Sequence, residues 1–179
     1  MASKIEIRIG GSGGQGVVLA AQILGKAAVF DGRNVLQTQA YGAEARGSLA
    51  KSEVIISDNK IGFPAVRRSD ILVAMSQEAL NVLLKDLKET GILILDGASV
   101  KIQPETRAKV YSLPLTETAK KELGEAFYAN MVMLGALTQI TSIVNEESME
   151  KAIRENVSKE TIETNLKAFR KGLDLTLKT

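Results

Sequence analysis

Ile5-Glu6-Ile7-Arg8-Ile9-Gly10-Gly11-Ser12-Gly13-Gly14-Gln15-Gly16-Val17-Val18-Leu19-Ala20-Ala21 is the stretch that decides the fold. Residues 5–9 alternate apolar and charged side chains, the period of a strand. Residues 10–16 form a glycine-rich loop, and Val17 to Phe30 is rich in Ala and Leu, ending at Asp31-Gly32, a helix-stop signal. Within the loop, Gly11-Ser12-Gly13-Gly14-Gln15-Gly16 has the spacing G-x-G-x-x-G after a strand and at the opening of a helix. Glycines permit a sharp turn and close backbone approach. The helix that follows aims unpaired N–H groups and a positive dipole end at an anion. A phosphate or pyrophosphate is the natural guest. The alternative is that these glycines only pack the first helix against the sheet.

Outward from this loop, Asn34 to Gln39 reads as a second strand and Ala40 to Ser48 as a loop. Lys51 to Ser57 and Ile71 to Met75 read as strands, the latter an unbroken apolar run suited to a buried parallel position. Ser76 is placed to cap a helix over 77–89 that Gly91 would end, followed by a strand at Ile92 to Leu95 closed by Asp96-Gly97. Lys109 to Leu113 is a last strand. The rest is helical in character: 116–123, the strongly apolar 129–141, 146–154, and 159–173 with Ser158 as its cap. Strands alternating with helices predict an α/β fold, a three-layer α/β/α sandwich with a mostly parallel central sheet and a helical C-terminal part. The expected organisation is a single domain over 1–179.

Of the 179 residues, 45% are apolar and 25% charged, with a formal net charge of +2. These values suit a globular chain large enough for a proper core. No apolar run reaches the roughly 18–20 residues of a membrane span, and Met1-Ala2-Ser3-Lys4 leads into a strand rather than a secretory signal. A cytoplasmic protein without membrane attachment is expected. Basic residues are interspersed with acidic ones and aromatic residues are only 4%, which argues against nucleic acid as a partner. The chain has no cysteine and no histidine. It therefore offers no thiolate, no cysteine ligand for an iron–sulfur cluster and no imidazole base. No catalytic residue and no metal site is assigned.

A dinucleotide site also expects an acidic residue about 20 positions after the loop, at the end of the second strand. Here that strand ends in Leu36-Gln37-Thr38-Gln39; Asp31 comes too early and Glu44 too late. The segment Tyr41 to Ser48 places an aromatic ring, an acid and the Arg46 guanidinium in one glycine-bearing connection. If the second strand is real, this segment emerges at the same sheet edge as the glycine loop, where ligands of open α/β sheets sit. Arg46 then faces a phosphate or a partner's carboxylate, or simply a local contact with Glu44. Asp70, Asp96 and Glu78 could form a carboxylate cluster, but strand-end Asp is more often a turn or cap residue. Met131 and Met133 read as core, and Arg67-Arg68 as a solvated pair.

Gly-Ser-Gly-Gly-Gln-Gly followed by Val17-Val18-Leu19-Ala20-Ala21, then Gln37 to Gly47, Ser52 to Asp58 and Asp70 to Glu78, resembles the gamma subunit family of 2-oxoacid:ferredoxin oxidoreductases. The blocks cover the first half of the chain in the family's order; the second half is similar only in length and helical character. One departure is Ser48, where the family usually has a glycine. The resemblance implies a Rossmann-like glycine loop and a subunit that does not catalyse alone. The complex would convert a 2-oxoacid by oxidative decarboxylation to an acyl-coenzyme A, passing electrons to ferredoxin. Thiamine diphosphate and iron–sulfur clusters would reside on partner subunits of alpha, beta and delta type. Coenzyme A is the one ligand implied for this chain, at Gly11, Ser12, Gly13, Gly14, Gln15, Gly16 and Arg46. Tyr41, Gly42, Glu44, Gly47 and Ser48 would lie at a subunit interface or the coenzyme entrance. The Gln-Thr-Gln-x-Tyr-Gly-x-Glu stretch is closer to 2-oxoglutarate-type members than to the pyruvate type. The competing readings are a free-standing nucleotide- or dinucleotide-binding oxidoreductase, and a scaffold whose loop binds nothing. An isolated subunit would expose apolar surface and could self-associate as a homo-oligomer.

Overall fold

A computed structural model describes residues 4–42, 48–102 and 104–176. Its single sheet has six strands: β1 (Lys4–Ser12), β2 (Asn34–Tyr41), β3 (Leu49–Ser57), β4 (Ser69–Ala74), β5 (Leu87–Asp96) and β6 (Lys109–Leu113), in the order β2-β3-β1-β4-β5-β6. β1, β4, β5 and β6 pair in parallel, while β3 runs antiparallel to both β1 and β2. Five strands therefore point the same way and β3 alone is reversed, so the sheet is mostly parallel as expected.

Six α-helices are found among the described residues: α1 (Val17–Phe30), α2 (Gln77–Leu83), α3 (Leu115–Leu123), α4 (Ala129–Thr141), α5 (Glu146–Asn156) and α6 (Ile162–Thr176). They divide unequally between the faces. Ile7, Ile9, Val54, Ile56, Ile71 and Val73 form one core with α1, α3, α4, α5 and α6. Leu72, Ala74, Leu93 and Leu95 form a smaller one with Ala79, Leu80 and Leu83 of α2, and with Val100 and Ala108. The sandwich has three layers, one of them thin. α4 is buried nearly all round, which explains its continuous apolar sequence. It crosses α6 closely: a Cβ on Gly135 would collide with the Phe169 carbonyl, and one on Gly172 with the Val132 carbonyl.

Two expectations are corrected. β1 runs through Gly10, Gly11 and Ser12, because each continues the pairing with β3; the loop proper is only residues 13–16. The helix expected over 77–89 stops at Leu83, and after a 3-10 turn at Leu84–Asp86 the chain enters β5. Gly91 lies inside that strand rather than ending a helix; a side chain there would press on the Asp70 and Lys88 carbonyls, beside a register shift between β4 and β5. The alternating residues 5–9 form a strand as expected. β1 lies between β3 and β4, and Arg8 is buried on the thin side, 3% exposed. Its guanidinium is paired with Glu53 and Asp86 and donates to the Val66 carbonyl. Burial pushes the Glu53 carboxyl up, but hydrogen bonds from Lys51 and Arg8, with their charges, hold it below its ordinary value.

Candidate functional site

The carboxyl ends of β1 and β4 are where the sheet's connections diverge: α1 leaves toward the thick layer and α2 toward the thin one. This switch point is the usual ligand crevice of an open α/β sheet. Here it is occupied from within. Met75 N–H donates to the Gly10 carbonyl (2.8 Å). The Gln15 carboxamide accepts from Ser12 N–H (2.7 Å) and donates to the Met75 carbonyl (2.9 Å), bridging the two strand ends. A Cβ on Gly11 would meet the Gln15 Oε1 atom at 2.6 Å, so glycine there makes room for the glutamine. Gln15 thus fills the space in which a dinucleotide pyrophosphate would lie between the strands.

The start of α1 is left open. Its N-cap, Gly16, is left-handed with φ 69°, and no side chain among the described residues caps the first turn. Left-handed geometry favours glycine, and a Cβ would also strike the Asn130 carboxamide. Asn130, buried at the start of α4, donates to the Gly16 carbonyl at 3.4 Å, and its Oδ1 has no partner among the described residues. Gly13 N–H donates to the Ser48 carbonyl (2.9 Å), and Gly42 N–H to the Leu49 carbonyl (2.8 Å). Tyr41 and Gly11 both pair with Ala50 of β3, so β2 and β1 end at one level, with Tyr41, Gly42 and Ser48 beside the glycine loop.

Two hollows flank the loop. One, of about 220 Å³, is lined by Ser12, Gly13, Gly14, Gly16, Val17, Val18, Tyr41 and Ala50, and Tyr41 is 62% exposed. The other, of about 250 Å³, is lined by Gly14, Gln15, Ser99, Thr116, Ala126, Phe127 and Ala129. Its chemistry is different, because the buried Asp96 carboxylate accepts from the Ser99 hydroxyl and from the hydroxyl and N–H of Thr116. The start of α3 is thereby already neutralised by a protein carboxylate. An anion is therefore better served in the Tyr41 hollow, at the uncapped start of α1.

Residues 6–175 match the family described as pyruvate ferredoxin/flavodoxin oxidoreductase. The chain belongs to this family. Within it, the 2-oxoglutarate synthase subunit KorC of Methanocaldococcus jannaschii is 49% identical over 173 residues, covering 95% of this chain and 92% of the relative. The crystal structure of a keto/oxoacid ferredoxin oxidoreductase gamma subunit from Geobacter sulfurreducens superposes with a TM-score of 0.88 at 40% identity, covering 98% of this chain and 99% of that one. A 2-oxoglutarate:ferredoxin oxidoreductase from Magnetococcus marinus, solved with 2-oxoglutarate, coenzyme A and succinyl-CoA bound, superposes with a TM-score of 0.89 at 25% identity. That match covers 98% of this chain but 31% of the longer polypeptide. The chain is a gamma-type subunit of a 2-oxoacid:ferredoxin oxidoreductase.

Of the residues singled out from sequence, Gly11, Ser12, Gly13, Gly14, Gln15, Gly16, Tyr41, Gly42 and Ser48 come together at this edge. Glu44, Arg46 and Gly47 lie outside the described residues. Asp70 and Asp96 stand at opposite ends of the sheet, on β4 and β5, and form no cluster; Asp70 accepts from Glu6 N–H and pairs with Lys88. Arg67 lies over the Phe63 ring, and Arg68 donates to the Leu87 carbonyl. Sequence reasoning missed Asn130 and Phe127. A single amide in the apolar run of α4 was the available signal for the first; an exposed ring in a short turn gave none for the second. No helix among the described residues is long and apolar enough to cross a membrane.

Proposed function

We propose that this subunit serves a 2-oxoglutarate-type oxidoreductase, is inactive alone, and contributes the glycine-loop edge to the handling of coenzyme A. The observation that carries this reading is the division of labour in the loop. Gln15 closes the crevice between β1 and β4, while the uncapped start of α1 faces a hollow lined by Ser12, Gly13, Gly14 and Tyr41. Backbone donors and a positive dipole end suit a phosphate of the coenzyme, and Tyr41 offers a face for its flat base. Arg46, in the adjoining segment, is the proposed countercharge. The coenzyme A bound in the Magnetococcus marinus relative, and the identity to KorC, support both the ligand and the 2-oxoglutarate preference.

Without cysteine or histidine, the chain supplies neither cluster ligands nor an imidazole. Decarboxylation and electron transfer therefore belong to thiamine- and cluster-bearing subunits of alpha, beta and delta type, in the cytoplasm. The test uses the assembled complex. Gly13→Asp adds a carboxylate beside the hollow and should raise the KM for coenzyme A by about tenfold or more, equivalent to ~1.4 kcal/mol. The KM for the 2-oxoacid should stay unchanged. A variant complex that assembles and binds coenzyme A as the wild type does, by calorimetry, would show the loop to be a scaffold only.

A further inference from the structure

From Ile9 to Tyr41 the only charged residues are Lys26, Asp31 and Arg33, where the chain's average of 25% would place about eight. All three are engaged away from the free side of this unit. Lys26 pairs with Glu155 of α5, Arg33 pairs with Asp58, and Asp31 accepts from Asn145 and Ser148. The uncharged remainder forms one surface. The missing Cβ of Gly25 faces Val35, and Val18 shares a hollow with Tyr41, so the side of α1 bearing Val18, Gln22, Gly25 and Val29 runs along β2. Val35, Gln37, Gln39 and Tyr41 lie on the same face of the sheet, because they pair with Ile56, Val54, Ser52 and Ala50, of which Ile56, Val54 and Ala50 belong to the thick-layer core. Val29 is 55% exposed, and Gln22, Thr38, Gln39, Ala40 and Tyr41 are exposed.

β2 is also an edge strand: no strand lies on its outer side among the described residues. Natural edges are blunted by lysine, proline, bulges or shortness. This one has eight residues, pairs with β3 without a break in register, and carries no charge and no proline. The other edge, β6, has five residues and opens with Lys109.

We propose that this band joins two copies of the chain. β2 pairs antiparallel with its counterpart about a twofold axis perpendicular to the sheet at Thr38, so that each Thr38 lies opposite its own copy, and the Val18, Gln22 and Val29 side of α1 packs on itself across the axis. A second copy is the occupant argued for because the band is self-complementary. A twofold brings a strand of equal length, opposite direction and no charge to an edge with the same needs. Two identical surfaces would repel were they charged, and these are not. The band shares Val18 and Tyr41 with the hollow proposed for coenzyme A, but Thr38, where the inference is tested, does not line that hollow.

Sedimentation of the full chain over a wide concentration range, with hydrogen exchange at both ends of that range, tests it. The wild type should show a monomer–dimer equilibrium, and the amides of β2 should exchange slowly only where the dimer dominates. Thr38→Lys sets two ammonium groups near the axis and should weaken the dimer about tenfold or more. Thr38→Gln, polar but uncharged, should leave it nearly intact. A monomer at all concentrations, or a dimer indifferent to Thr38→Lys with β2 exchange independent of concentration, overturns the proposal. So does protection of β2 that appears only when the other subunits are added, which would give the strand to one of them.

Discussion

On one face of the sheet five helices bury a continuous apolar core, and the tightest contact is backbone against backbone at Gly135 and Gly172. On the other face a single seven-residue helix among the described residues packs on β1, β3 and β4, and the neighbouring sheet is held by a buried guanidinium between two carboxylates and a carbonyl. The thick layer depends on shape and tolerates no added atom where helices touch. The thin layer depends on charge pairing and orders the segment around Val66 through one side chain. Substitutions should therefore fail for different reasons on the two faces.

The largest effect belongs to the thick face. Gly172→Ala places a methyl group against the Val132 carbonyl, which cannot move without displacing α4 from α6. The loss should reach or exceed the ~3 kcal/mol upper end of ordinary overpacking, lowering Tm by roughly 6–12 °C in a chain of this size. Thermal unfolding followed by circular dichroism reads it directly. A drop of only a degree or two would mean that the crossing is looser than its geometry implies.

On the thin face, Arg8→Met leaves Glu53 buried, 8% exposed, with Lys51 as its remaining partner. Breaking such a pair costs about 3–5 kcal/mol, whereas replacing both partners by apolar groups is often near neutral. Arg8→Met with Glu53→Leu should thus recover much of what Arg8→Met alone loses, and no second change near Gly172 should rescue that site so simply. The pair also has a pH signature. Because the folded Glu53 carboxyl lies below its ordinary value of 4.5, its contribution is complete above that value and is lost as pH falls through the depressed one. The stability gap between wild type and the double variant should shift in that acid window and stay flat above it. A gap independent of pH in this range would assign the destabilisation of Arg8→Met to lost packing.

The same contrast explains what could be read from the residues alone. The strand at Lys109 to Leu113, the helix at Ala129 to Thr141 and the cap at Ser76, whose hydroxyl accepts from Ala79 N–H, follow from local pattern and appear as expected. The burial of Arg8 was not legible, because alternation reports chemistry, not neighbours. Nothing within residues 5–9 says that β3 and β4 will enclose them on either side. The helix over 77–89 was overextended for a related reason. Leu87 to Leu95 keeps an apolar content that suits either state, and pairing with β4 decides for the strand. At the site, the glycines and their edge were legible because φ and close approach leave a direct mark on sequence. The inward turn of Gln15 was not, since the family of glycine loops normally keeps that space for a ligand.

Gln15 gives the smallest and most informative test. Gln15→Ala leaves Ser12 N–H and the Met75 carbonyl without their partner at a partly buried position, a loss of about 1–2 kcal/mol. Gln15→Glu can still accept from Ser12 N–H but turns a second oxygen toward the Met75 carbonyl, so it should be no better than alanine. If coenzyme A lies in the Tyr41 hollow, both variants should destabilise the subunit slightly while leaving coenzyme affinity in the assembled complex within about twofold, ~0.4 kcal/mol. A much larger loss of affinity at equal stability would place the coenzyme against Gln15 itself. The crevice between β1 and β4, closed in this structure by that one side chain, would then be the ligand's path after all.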